Sequence, residues 1–141
     1  MTTTPIVIRF TVAYWCVLLA ALLPILCAGL AKFGRFSAPR SGVRYDNHEP
    51  RAWLARQIQW RARANAAQAN SFEGLPFFIG AVIIAHQLGA AQTMLDILAF
   101  IYIVLRLMYI MMYVADLPTA RSTLWTLGFV VNIAILFVGY R

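Results

Sequence analysis

Charge is what this sequence has least of. Only 12% of its 141 residues are Asp, Glu, Lys or Arg, and five of those are acidic, against roughly a quarter charged in an ordinary soluble domain. With 62% of the residues hydrophobic, that scarcity excludes a disordered chain and a soluble domain with a charged shell. At this length it also argues against a multi-domain enzyme. Cysteine is scarce too. Cys16 and Cys27 share one apolar run, where a helix sets them roughly 16 Å apart, too far for a disulfide. Both read as small hydrophobes. Leu26 precedes Cys27 where a lipoprotein signal has a small residue, and the run is too long for a signal-peptide core, so it reads as retained. The sequence has no Gly-rich phosphate loop and no nucleophile elbow. His48 and His86 are too isolated to suggest a metal site.

Four apolar spans are present. Residues 10–31 run for 22 positions without a charge, and 122–140 for 19; about 20 suffice to cross a bilayer. Residues 74–91 form the second span, with a helical pattern beginning near Gln57, so that the helix is expected over about 60–88. The third, about 94–115, contains Asp96 and Arg106. All four are expected to be helices, because a spanning segment must satisfy its own backbone. The fold class is therefore an all-α membrane protein, a four-transmembrane-helix up-down bundle forming one domain over 1–141. Pro24 and Pro76 predict kinks. Residues 32–56 read as a polar loop broken by Gly34, Pro39, Gly42 and Pro50, and Pro118 marks the last connection.

The net charge of +7 would fit a nucleic-acid partner only if it were spread over a soluble face. Here Lys32, Arg35, Arg40, Arg44, Arg51, Arg56, Arg61, Arg63 and Arg121, nine of the twelve cations, collect on one side of the spans, against Arg9 and Arg141 on the other. No nucleic-acid partner is expected. The positive-inside rule instead places the 32–56 loop in the cytoplasm and both termini outside.

Polar groups inside a span are costly and therefore candidates for function. On the second helix Gln59, Arg63, Ala66, Asn70 and Glu73 share a face about 80° wide. On the third, Tyr102, Arg106, Tyr109, Tyr113 and Asp116 follow spacings of four, three, four and three. Arg121 and Ser122 are expected at the start of the fourth, where free backbone N–H groups favour an anion. The plain alternative is a polar network locking helices together. Two stripes and a terminal Arg near one membrane face favour instead a site for a small zwitterionic or anionic ligand, Arg taking carboxylates and Glu an amine. Trp15, Trp53, Trp60, Trp125 and Tyr140 read as interface anchors or packing, His86 as an interfacial polar residue, and Met108, Met111 and Met112 as core filler.

The stretch from Arg63 to Phe77, Arg-Ala-Asn-Ala-Ala-Gln-Ala-Asn-Ser-Phe-Glu-Gly-Leu-Pro-Phe, resembles the helix-two signature of the membrane-associated proteins in eicosanoid and glutathione metabolism, the MAPEG family. The preceding segment from Tyr45 to Arg51 looks like the loop of its bacterial branch. Arg106, Tyr109 and Tyr113, followed by Arg121 and Ser122, are similar to a second signature. The likeness covers nearly the whole chain. It departs at Ala66, which stands where the eicosanoid enzymes carry a ligand-binding Arg and leaves Arg63, one turn earlier, as the only nearby substitute, and at Gly74, where the leukotriene branch has an aromatic.

The resemblance implies a homotrimer with glutathione as co-substrate between protomers near the cytoplasmic face. Asn70 and Glu73 would hold its polar ends, Gln68 would reach in from a neighbour, and Arg63, Arg106, Tyr109 and Tyr113 would contact it. Arg121 would stabilise the thiolate with help from Ser122. The expected function is a membrane-bound glutathione transferase or peroxidase acting on hydrophobic electrophiles, in a bacterial inner membrane and without a metal. The alternatives are a non-catalytic MAPEG-like binder and a small transporter using Glu73. An exporter of that size places its key carboxylate in the first span, which here has none.

Overall fold

The computed structural model describes residues 10–36 and 44–140. Arg9, Pro39, Arg40, Gly42 and Arg141, used above for loop and charge, lie outside them. Five helices follow in order: α1 Val12–Lys32, α2 Pro50–Ala55, α3 Gln59–Gln87, α4 Gln92–Val114 and α5 Pro118–Phe137. No strand occurs among the described residues. Helices α1, α3, α4 and α5 are each long and apolar enough to cross a membrane. The protein is an integral membrane protein of four spanning helices. Residues 88–91 and 115–117 connect α3, α4 and α5 so briefly that the helices must run up and down.

Two boundaries differ from the sequence reading, for one reason. Pro50 and Pro118 were expected to break structure, and each instead starts a helix, α2 and α5. Proline is well placed in a first helical turn, where its missing N–H has no partner to lose. The fourth spanning helix therefore begins four residues before Ser122, and the polar loop contains a short helix. Pro24 and Pro76 sit inside helices that continue past them.

The core is built from small residues. Along α1 the buried positions include Ala13, Cys16, Ala20, Leu23, Cys27 and Ala31, and along α3 they include Ala64, Ala67, Ser71, Ala81 and Ala85. Spaced three and four apart, they let α1 and α3 approach closely, as membrane helices do when no water is present to drive association. Both cysteines are free and belong to this seam. Larger side chains such as Phe78, Leu95 and Ile135 fill the centre among α3, α4 and α5. Long apolar side chains face outward instead: Leu18, Leu22 and Ile25 on α1, Phe100 and Val104 on α4, Val130 and Phe137 on α5. Met108 and Met111 are among these exposed residues, so neither fills the core of the protomer.

Asp96, the acid interrupting the third span, has a structural explanation. Its Oδ1 accepts from the Ala13 backbone N–H at 2.8 Å and from Gln92 Nε2 at 2.7 Å. The carboxylate thus caps the positive end of α1, where spare N–H groups and the helix dipole favour an anion. His86 completes the same end, stacked on Tyr14 with centroids 4.5 Å apart and 3.4 Å from Thr11 Oγ1. Asp96→Ala is expected to cost about 1–2 kcal/mol, the usual worth of a cap. A lowered thermal midpoint with unchanged ligand binding checks this, and Asp96→Asn should recover part of the loss.

At the opposite end the chain is tied by aromatic and cationic contacts. Trp53 Nε1 donates to the Arg44 carbonyl at 2.8 Å, the Tyr45 ring meets Trp53 edge-on, and Lys32 Nζ lies 4.4 Å above Tyr45. Arg61 Nη2 donates to the Phe33 carbonyl at 3.2 Å. The up-down path brings Lys32, Arg61, Arg63 and Arg121 to this one end of the bundle. At 29 residues α3 is roughly 43 Å long, so its Arg-bearing first turns extend past a hydrocarbon core of about 30 Å.

Candidate functional site

Three helices each turn one polar-bearing stripe toward a shared space. On α3 the stripe is Asn70, Glu73, Gly74 and Phe77; on α4, Tyr102 and Arg106; on α5, Trp125, Gly128, Phe129 and Asn132. The intervals of three, four and seven keep each set on one helix face. Together they line a cavity of about 190 Å³. A cleft of about 280 Å³ lies beside it, lined by Tyr109, Tyr113, Arg121, Ser122, Trp125 and Thr126. Trp125 is common to both.

Arg106 is the centre of the arrangement. It is 6% exposed, and its Nη2 donates to Asn70 Oδ1 at 3.0 Å and to Ser71 Oγ at 3.4 Å. Ser71 in turn donates to the Ala67 carbonyl at 2.8 Å, and Asn70 Nδ2 donates to Glu73 Oε2 at 3.3 Å. The guanidinium therefore reaches the nearby carboxylate only through an amide. Among the described residues the one ion pair is Arg63 with Asp116, at 3.4 Å. A buried cation without a directly paired acid leaves charge uncompensated at low dielectric, where an anion is attracted most strongly.

Cations and rings then alternate toward the rim. Arg106 lies 4.5 Å from the Tyr109 centroid, Tyr109 meets Tyr113 edge-on at 5.6 Å, and Arg121 lies 4.5 Å over the Tyr113 ring. The guanidinium of Arg121 is held over the face of Tyr113 by a cation–π contact. The pair thus brackets the cleft with one buried and one half-buried positive charge.

Of the site residues read from the sequence, Asn70, Glu73, Arg106, Tyr109, Tyr113, Arg121 and Ser122 line these two adjoining spaces. Arg63 and Gln68 do not. Arg63 is held by Asp116 and by the Val114 carbonyl, to which its Nε donates at 3.1 Å. Gln68 keeps Oε1 buried without a hydrogen-bond partner. Arg121 and Ser122 are the fourth and fifth residues of α5 rather than its start, and the Arg121 N–H already donates to the Leu117 carbonyl at 3.0 Å. Anion preference there rests on the side chain rather than on a free backbone N–H.

The sequence reading missed Ser71, Phe77, Phe129, Gly128 and Asn132 as parts of the site. Asn132 was visible as an amide in the middle of an apolar span. It stands alone, with no second polar residue three or four positions away to form a stripe.

The MAPEG family model matches residues 12–140, which include all four spanning helices. The chain belongs to the MAPEG family. No curated protein and no solved structure matches it. For this MAPEG protein, membership supports a glutathione-related function of the transferase or peroxidase kind in a membrane. Among the described residues no group of three His, Cys, Asp or Glu is placed to hold a metal.

Proposed function

We propose that this MAPEG protein is a glutathione-dependent transferase or peroxidase acting on hydrophobic electrophiles dissolved in the membrane. The observation that carries this reading is Arg106, buried and hydrogen-bonded to Asn70 and Ser71, with no directly paired carboxylate. Its charge suits a carboxylate of the tripeptide. Glu73, exposed at the mouth, suits its ammonium group, and Tyr109 and Tyr113 bound the chain between. Arg121 then holds the sulfur as thiolate, because a nearby guanidinium favours the charged form of a thiol, and Ser122 can donate to it. The thiolate is the nucleophile. Catalysis follows from proximity and fixed charge.

The protein is proposed to work as a homotrimer. The buried Oε1 of Gln68, unpartnered within the protomer, supports a role for this side chain toward a neighbouring copy. Arg63, tied to Asp116, would act at the rim. The cationic end of the bundle supports a cytoplasmic site in a bacterial inner membrane, with both termini on the outer side.

Glutathione binding to the detergent-purified protein, followed by thiolate absorbance near neutral pH, tests the reading. A thiolate signal at saturating glutathione is expected. Binding without that signal would leave a non-catalytic binder. No binding at millimolar glutathione would overturn the proposal and direct attention to transport through Glu73.

A further inference from the structure

The cavity among α3, α4 and α5 goes deeper than the charges at its mouth. Asn132 is eleven residues beyond Arg121 on α5, roughly 16 Å further along the helix and so near the middle of a hydrocarbon core of about 30 Å. Three polar residues more than nine-tenths buried line this space: Arg106 at 6% exposure, Tyr102 at 4% and Asn132 at 3%. Arg106 is engaged by Asn70 and Ser71. The Asn132 amide is hydrogen-bonded to the Tyr102 hydroxyl, while its Oδ1 is buried with no hydrogen-bond partner. An unmade hydrogen bond is expensive in a protein core, and no water is at hand in hydrocarbon to make it.

One glycine gives Tyr102 its place in the wall. A Cβ at Gly74 would come within 3.3 Å of Tyr102 Oη, and one at Gly128 within 3.9 Å of Tyr102 Cε2. At Gly74 the Tyr102 hydroxyl would have to give way, whereas 3.9 Å at Gly128 is ordinary contact; the Tyr102 ring is stacked on Phe78 at 4.1 Å. Phe77, Trp125 and Phe129 supply the remaining apolar wall. A volume of about 190 Å³ is that of a ring-sized guest, since a cavity near 150 Å³ accepts benzene. Trp125 and Phe129 are each 44% exposed on the outer surface of the protomer.

We infer that this cavity is a subsite for a ring-sized apolar group carrying one O–H donor, and that Asn132 recognises the donor through its free Oδ1. The inference deepens the reading above by naming the class of second substrate, and rests on it only for the thiol that meets the guest at the mouth. A guest without a donor leaves Asn132 unsatisfied, so the subsite selects by one hydrogen bond rather than by shape. A carboxylate guest would be drawn to Arg106 on the same wall and would present a second acceptor to the Asn132 Oδ1, so it does not satisfy Asn132.

The test is fluorine NMR titration of the full-length protein in detergent with 4-fluorophenol and 4-fluorotoluene, which match in shape and differ by O–H against CH₃. Partition into empty micelles is subtracted, and glutathione is left out. The native protein is expected to prefer 4-fluorophenol by about tenfold, the worth of one net hydrogen bond. Asn132→Leu should reduce that preference below about twofold while the thermal midpoint holds or rises, since the change removes an unpaired polar atom. Asn132→Ser, whose hydroxyl can turn back to the preceding helical turn, should lose the preference too. A native protein without preference, or a preference that survives both substitutions, overturns the inference. So does a fall in thermal midpoint with equal loss of both guests, which would make Asn132 a structural residue. Failure of glutathione to bind would overturn the function proposed above without altering these titrations.

Discussion

Arg106→Met is expected to weaken glutathione binding by about 100-fold or more and to leave the protein as stable as before. The two halves of this expectation have one cause. Arg106 sits in a spanning helix at 6% exposure, where a guanidinium costs roughly 2.5–3.5 kcal/mol on insertion scales. The structure offsets that cost only with neutral partners, Asn70 and Ser71, and with the face of Tyr109. Methionine fills similar volume without the charge, and exchanging a buried charge for a well-packed apolar group is commonly neutral or stabilising. A bound carboxylate would lose its buried partner, which costs about 2–5 kcal/mol, and each 1.4 kcal/mol is a factor of ten. Equilibrium dialysis with glutathione and a thermal melt on the same samples separate the two effects. If Arg106 serves only to lock α3 to α4, the melt falls and the proposed site loses its centre.

How much of this could be read beforehand depended on the kind of signal each residue gives. The spanning helices were legible because their apolar runs far exceed what a core helix needs, and the stripes on α3 and α4 because Arg, Glu and Tyr are conspicuous inside such runs. Of the seven residues from Asn70 to Ser122 that line the two spaces, five were named from spacing, and Arg121 and Ser122 from their expected place at a helix start. The starts of α2 and α5 were misread because proline terminates a helix from within yet begins one well, and sequence gives no direction to the break. Asp96 looked like an intrusion in its own helix. Its partner is the N–H of Ala13, 83 residues earlier, a pairing no local pattern reveals. Arg63 fell on the right face but met Asp116 across the turn, because a long side chain at a helix end can reach in more than one direction. The place of Tyr102 in the cavity wall depends on what Gly74 lacks. The absence of a side chain becomes a feature only when the neighbour that occupies its place, here Tyr102, is known.

Arg121→Ala should separate thiol activation from thiol binding. Glutathione is expected to bind within about tenfold of the native affinity, because Arg106, Asn70 and Glu73 remain, while turnover at neutral pH falls by about 100- to 1,000-fold, the usual loss when one donor to a developing or resident anion is removed. The pH profile carries the sharper evidence. A free thiol titrates near 8.5, and a guanidinium within about 4–6 Å lowers such a value by about 1–3 units. With Arg121 present the thiolate is thus expected to be largely formed by neutral pH, and the activity it supports is lost only as the pH falls through the lowered value. Without Arg121 the acid limb of the rate profile should move up toward about 8.5, so that the deficit is greatest near pH 7 and narrows in alkali. Arg121→Lys should restore part of the charge effect but not the geometry, since Lys carries no planar guanidinium to lie over Tyr113 as that of Arg121 does at 4.5 Å. Thiolate absorbance as a function of pH checks all three forms. A limb that stays in place in the alanine variant would remove Arg121 from the chemistry and leave it as a group that merely orders Tyr113.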